Sequence, residues 1–138
     1  MKTATCLMIA VLAALALPAH AEWELLRGND QQRLSIDPKT IKARRAETTF
    51  KYLVDFRDAQ GEVGGKYRSI GVGAALRCKE RRIALRSYEI YSGSTGKGVM
   101  LAQPAPKQDE QRFNPVEKGS SDEDLYRRIC QKAPAKKK

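Results

Sequence analysis

Histidine is almost absent from this chain of 138 residues. Its one histidine, His20, follows an apolar run over residues 6–17 and lies within Ala19-His20-Ala21, the pattern of a signal-peptide cleavage site. Because cleavage after Ala21 would remove His20, the remaining chain would have no imidazole for acid–base catalysis or metal binding. We therefore expect no catalytic residues, no metal site, no cofactor and no enzymatic activity.

Long apolar segments are also scarce. The run over residues 6–17 is shorter than the roughly 20 residues that a membrane-spanning helix needs. No cysteine lies at the expected cleavage point, so no lipid anchor is evident. The sequence therefore predicts a signal peptide at residues 1–21 and an exported protein, periplasmic or secreted, with association to the cell surface left open.

Cysteine is limited to three residues, and Cys6 would leave with the signal peptide. In an oxidising compartment the two that remain, Cys78 and Cys130, are expected to form a disulfide. The alternative is a reactive thiol at one of them.

Acidic residues are outnumbered. Taking Lys2 from the 26 basic residues leaves 25 against 16 acidic ones, a net charge of +9 for the mature chain. A basic exported protein tends to bind anionic surfaces such as lipopolysaccharide, glycan or nucleic acid. The remaining length fits one domain, residues 22–131, followed by a disordered basic tail, residues 132–138.

Apolar and polar residues alternate along several segments, which predicts strands. The clearest has Phe50, Tyr52 and Val54 on one face. Asp37-Pro38 is expected to end the strand that precedes the Phe50 strand, since proline cannot donate to a ladder, with a brief extension at residues 40–43 left open. The predicted strands cover residues 23–27, 33–37, 47–57, 66–78, 82–91 and 99–101.

Residues 74–88 contain many good helix formers, so a helix competes with two strands there. Strands are favoured because the apolar spacing does not follow a helical stripe. The alternation shifts within the second strand, which predicts a β-bulge near Arg86. A C-terminal helix is expected from Ser121 to about Gln131, with Leu125 and Ile129 facing inward.

Arginines are densest in the middle of the chain. Arg82 and Arg86 would share one face of a regular strand, with Tyr88 nearby, and Arg44 and Arg45 precede the Phe50 strand. Guanidinium and aromatic groups are enriched at binding surfaces, so these five residues are the candidate ligand-binding residues. The alternative is a set of solvated arginines with no ligand.

The order of these features resembles the surface-adhesin protein E family of secreted bacterial domains. The resemblance rests on Trp23, the segments 35–41, 50–56 and 88–93, Cys78 followed by a basic residue, and a serine before a helix that ends in Cys130. It implies an α+β fold: a single antiparallel sheet of about six strands, with a C-terminal α-helix packed on it and tied by a disulfide.

The family name implies an adhesin-like protein that binds a host extracellular-matrix protein or an anionic glycan or lipopolysaccharide. The alternative function is a periplasmic interaction or inhibitor domain that acts on an envelope protein. A second copy of the chain, paired through a sheet edge or face, is a further candidate partner.

Overall fold

A computed structural model describes residues 22–61 and 65–131. Within these ranges the chain forms one antiparallel sheet of seven strands and two α-helices. The predicted signal peptide, residues 1–21, and the predicted tail, residues 132–138, lie outside the described residues. The strands are β1 (Glu24–Gly28), β2 (Gln32–Ala43), β3 (Thr48–Gln60), β4 (Tyr67–Arg77), β5 (Arg82–Tyr91), β6 (Met100–Ala102) and β7 (Asn114–Pro115), and the helices are α1 (Gln108–Gln111) and α2 (Ser121–Cys130).

The sheet follows the order of the sequence. Strands β1 to β6 each pair with the next strand along the chain, and β7 pairs with the beginning of β5. The expected α+β fold, an antiparallel sheet with a C-terminal helix, is therefore confirmed. Residues 74–88 form strands rather than the competing helix, because each of their apolar positions faces a partner in the neighbouring strand.

The hydrophobic core lies between α2 and one face of the sheet, which we call the helix-covered face. Ile36 lies opposite Tyr52, and Tyr52 lies opposite Val72, so one row of apolar side chains crosses three strands. Leu125 and Ile129 of α2 are buried against this face, as the sequence predicted. We call the other side of the sheet the open face.

Strand β2 continues past Pro38 to Ala43, so the prediction that it ends at Asp37-Pro38 is wrong. The ladder to β3 is interrupted between Asp37 and Lys42, and Pro38 lies inside that interruption. The missing N–H of proline therefore breaks no β2–β3 hydrogen bond. The hydroxyl of Thr40 accepts the backbone N–H of Lys51 at 2.8 Å and bridges the gap.

The predicted β-bulge is present in β5. Ala74 pairs with Leu85 and Gly73 pairs with Ser87, which leaves Arg86 without a partner in the ladder. The extra residue shifts the alternation by one position. Ile83 and Leu85 before the bulge, and Tyr88 and Ile90 after it, consequently all belong to the helix-covered face.

Helix α2 begins at Ser121, as predicted, and its N-cap is Ser120, whose hydroxyl accepts the N–H of Glu123 at 3.3 Å. The predicted disulfide between Cys78 and Cys130 is confirmed, with the two Cα atoms 5.4 Å apart. None of the helices in the described part of the chain is long and apolar enough to span a membrane.

Candidate ligand-binding surface

One end of the sheet carries the β2–β3 loop, residues 44–47, and the β4–β5 turn, residues 78–81. Thr48 pairs with Leu76, so the antiparallel register brings the loop and the turn side by side. Between them lies a cleft of about 310 Å³. Its charged lining residues, which define what we call the basic cleft, are Arg44, Arg45, Arg77, Lys79, Glu47 and Glu80.

One cation of the basic cleft is paired with an acid of the same cleft: Arg77 Nη1 lies 3.4 Å from Glu80 Oε2. The other acid, Glu47, has its Oε2 4.0 Å from Nη2 of Arg86, which lies outside the cleft lining. Arg44, Arg45 and Lys79 are exposed and form no ion pair with any carboxylate in residues 22–61 or 65–131. The cleft therefore keeps an excess of positive charge that faces solvent.

Arg82 and Arg86 lie beside the basic cleft, but both guanidinium groups hold the chain that follows α1. Arg82 Nη1 donates to the carbonyl of Phe113 and Arg86 Nη1 donates to that of Gln111, each at 3.2 Å. The ring of Phe113 packs between two cations, 4.0 Å from Cζ of Arg77 and 5.3 Å from Cζ of Arg86. These arginines therefore stabilise a strap, residues 111–113, beside β5.

Tyr88 belongs to the helix-covered face, where it lies opposite Val72. Its hydroxyl donates to Glu110 of α1. Burial, followed by this hydrogen bond and the charge of Glu110, raises the pKa of Tyr88 above its ordinary value. The structure thus brings Arg44 and Arg45 together and places Arg82 and Arg86 next to them, but it keeps Tyr88 on the other side of the sheet.

Three residues of this surface were not singled out from the sequence: Arg77, Lys79 and Phe113. Arg77 and Lys79 flank Cys78 directly, so a disulfide at the end of a strand was a signal that their side chains are fixed at one end of the sheet. Phe113 comes from a segment rich in proline and glutamine without apolar alternation, and no local pattern indicated its position.

A larger concavity, of about 460 Å³, lies at the opposite end of the sheet beside the β1–β2 turn. It has three arginines, but Asp30 and Asp55 lie among them, and Asp55 accepts the N–H of Thr95 at 2.6 Å. The arginines are Arg33, Arg57 and Arg68. Because its charges are mixed, this end is a suitable comparison for the basic cleft.

No group of three or more histidine, cysteine, aspartate or glutamate side chains in the described ranges is arranged to hold a metal ion. Asp122, Glu123 and Asp124 are adjacent in sequence but are not arranged to hold a metal ion. Glu123 contacts Arg81 and Arg127, whereas Asp124 contacts Arg27. These acids serve the packing of α2.

Comparisons with known proteins agree with this fold. The family model for surface-adhesin protein E matches residues 23–131. Protein E from non-typeable Haemophilus influenzae is similar in structure, with a TM-score of 0.59 and 17% sequence identity over 85% of this chain and 82% of that one. A second crystal form of Haemophilus influenzae protein E gives a TM-score of 0.57 over 71% and 80%. The comparison with curated proteins gave no match.

Proposed function

The chain belongs to the surface-adhesin protein E family, and we propose on that basis that it is an exported, envelope-associated protein that binds a host matrix protein or an anionic surface ligand. Family membership suggests a surface adhesin without enzymatic activity. The ligand would be recognised by its negative charge, as on an anionic glycan, lipopolysaccharide or an acidic stretch of matrix protein.

The observation that carries this proposal is the basic cleft. Arg44 and Arg45 are exposed and make no ion pair with a described carboxylate, so binding an anion would break no internal salt bridge of theirs. Planar guanidinium groups suit carboxylate, sulfate and phosphate, which they contact through two parallel hydrogen bonds. Lys79 adds a third positive charge at the same rim.

The strap explains which arginines should be substituted first. Arg82 and Arg86 hold Phe113 and Gln111, so reversing their charge would disturb the packing of the strap as well as any ligand contact. Arg44 and Arg45 lie in a loop, and their side chains hold no other segment of the described chain. They are therefore the residues that report on ligand binding alone.

The test compares two charge-reversed variants of the mature protein on immobilised heparin and on lipopolysaccharide. The variant Arg44→Glu, Arg45→Glu should bind at least about tenfold more weakly, since each basic residue near an anionic surface contributes about 1 kcal/mol. The matched control Arg33→Glu, Arg57→Glu has the same net charge but alters the opposite end of the sheet. Equal weakening of the two variants would mean that net charge alone drives binding.

Salt provides a second measurement on the same proteins. Exposed charges attract over a Debye length of about 8 Å at physiological ionic strength, so binding of the unmodified protein should weaken steeply as salt rises. The Arg44, Arg45 variant should show a shallower salt dependence than its control. If the salt dependence is unchanged, a chain that ends at Gln131 should be measured next, because it lacks Lys132 and the three lysines at 136–138.

Surface exposure is tested separately, on intact cells. An added protease should degrade the protein without permeabilisation of the outer membrane if it acts as a surface adhesin. Degradation only after permeabilisation would overturn the surface assignment and favour a periplasmic interaction or inhibitor domain.

A further inference from the structure

The open face of the sheet has a groove whose floor is the backbone of β4. Leu53, Gly71 and Glu89 form one row across β3, β4 and β5, and Lys51, Gly73 and Ser87 form the next row. Neither glycine places a side chain above the central strand. The resulting groove has a volume of about 310 Å³.

Aromatic residues line both sides of this groove. Trp23, the only tryptophan of the chain, lies on the β1 side and is partly buried. Tyr91, at the end of β5, lies on the other side together with a 3-10 turn at Ser94–Gly96. Two rings therefore face an open space whose floor has no side chain of its own.

Polar groups of both kinds lie between the rings. Lys51 Nζ lies 3.4 Å from Glu89 Oε1, and the other carboxylate oxygen of Glu89 accepts the hydroxyl of Tyr91. Asp37 adds a second carboxylate to the lining. The three charged side chains give the groove one excess negative charge, in contrast to the basic cleft, so an anionic ligand is disfavoured here.

Packing does not require glycine at position 71. A Cβ atom there would lie 3.6 Å from Tyr91 Cε2 and 3.7 Å from Glu89 Cβ, which are ordinary contact distances. Glycine in a strand interior weakens the strand and often marks a place where a ligand approaches the backbone closely. The absence of a side chain at Gly71 leaves the β4 backbone as the floor of the groove, with Tyr91 and Glu89 beside it.

We propose that this groove binds a neutral sugar ring of a glycan. The C–H face of a pyranose is apolar and packs on an aromatic ring, and Trp23 and Tyr91 offer two such rings. Sugar hydroxyls both donate and accept hydrogen bonds, and the groove presents a carboxylate and an ammonium group within reach of each other. Its volume lies at the lower end of the range for small-molecule sites, about 300–1,000 Å³, which fits one or two sugar rings.

A peptide strand is a poorer occupant of this site. Recognition of an extended peptide by a sheet depends on unpaired backbone groups at an edge. Here β4 is paired on both sides, with β3 and with β5. The backbone of β4 under the groove therefore has no unpaired edge to which a peptide strand could add. The inference is also independent of the basic cleft, which lies at the end of the sheet and has the opposite charge.

The experiment uses the intrinsic fluorescence of Trp23, since no other tryptophan contributes to the signal. The mature protein is titrated with four neutral probes, maltotriose, chitotriose, lactose and mannotriose, and with glycerol as a control for general polyol effects. At least one probe should give a saturable change. Saturation-transfer NMR on that probe should show contact with the protein by a second, independent signal.

The decisive variant is Gly71→Val, which fills the groove with a residue that strands favour. It should fold with little change in melting temperature, because its Cβ meets its neighbours at ordinary contact distances, and it should weaken sugar binding at least tenfold. Gly61→Val is the matched control, because among the described residues a Cβ at Gly61 comes within 4 Å only of Tyr67, at 4.0 Å, outside the groove. This control and the Arg44→Glu, Arg45→Glu variant should bind sugar as the unmodified protein does.

Two results would overturn the inference. One is the absence of a saturable change in fluorescence and of saturation transfer with all four probes. The other is binding that persists unchanged in a folded Gly71→Val variant, since a sugar seated elsewhere would not sense the filled groove. Either result leaves the proposal for the basic cleft standing, because neither measures an anionic ligand.

Discussion

Arg81 Nη2 donates to Glu123 Oε2 at 2.8 Å and so joins the β4–β5 turn to the first turn of α2. The Glu123 side chain is only 8% exposed and also receives Arg127 Nη2 at 3.0 Å. Arg81 itself has a positive φ of 55°, a backbone conformation that residues other than glycine rarely adopt. The ion pair therefore holds the turn beside the basic cleft in an unusual conformation.

We expect Glu123→Ala to lower the free energy of unfolding by about 2 kcal/mol. Removing one member of a buried ion pair costs about 3–5 kcal/mol, and the partly exposed arginines here reduce that cost. Urea unfolding followed by circular dichroism measures the change. Glu117→Ala is the control, since Glu117 is exposed, and it should change the stability by less than about 0.5 kcal/mol. Equal effects of the two substitutions would contradict a structural role for the ion pair.

The disulfide gives the second prediction. Cys78 and Cys130 are separated by 52 positions, and closing a loop of this length contributes about 4 kcal/mol by restricting the unfolded chain. The variant Cys78→Ala, Cys130→Ala should lose about that amount in urea unfolding. Chemically reduced unmodified protein provides the comparison and should unfold at a similar urea concentration. A variant as stable as the oxidised protein would show that the covalent link contributes little.

The third prediction concerns alkaline pH. Burial, with the hydrogen bond and charge of Glu89, raises the pKa of Tyr91 from 10.0 to about 12. Because the folded pKa lies above the unfolded one, this stabilisation is complete below pH 10 and is lost as the pH rises towards 12. Glu89→Gln removes the charge, so the Tyr91 phenol should titrate at lower pH.

Ultraviolet absorbance of the phenolate form measures that titration. Tyr91→Phe identifies the contribution of this residue in the unmodified and Glu89→Gln backgrounds. An identical titration of Tyr91 with and without the Glu89 carboxylate would contradict the assigned cause.

The fourth prediction tests the close approach of β4 and β5 next to the bulge. A Cβ at Gly73 would clash with Ser87 Oγ, a side-chain atom that can move or be removed. Gly73→Ala should cost about 1 kcal/mol, the lower end of overpacking effects. In a Ser87→Ala background the same substitution should cost almost nothing. A double-mutant cycle of thermal or urea unfolding gives the coupling, and additive effects would argue against the contact.

Much of the sheet was predictable because its signals are local. Phe50, Tyr52 and Val54 alternate with polar residues, and the shift of that alternation near Arg86 indicated the bulge correctly. The helix was predictable from Leu125 and Ile129, whose spacing places them on one face. The sequence could not show that Pro38 falls in an interruption of the β2–β3 ladder, because that depends on how two strands pair.

The candidate site was predictable only in part, because it too depends on how strands that are distant in sequence pair. Arg44 and Arg45 meet the β4–β5 turn through strand register, which no single segment displays. A regular strand would have left Arg82 and Arg86 side by side and exposed, whereas both guanidinium groups hold the strap. Tyr88 is close to Arg86 in sequence but faces the core. The groove depends on Trp23, which lies far in sequence from the glycines that form its floor.

The first strand, β1, and the last helix, α2, of the described fold lie side by side. Arg128 Nε lies 2.7 Å from Glu24 Oε2, although 104 positions separate the two residues, and Arg27 Nε lies 2.7 Å from Asp124 Oδ2. Since β1 and α2 are neighbours, a short linker would join them. The same neighbourhood means that the domain can be inserted as a unit into a loop of a carrier protein, with both junctions on one side.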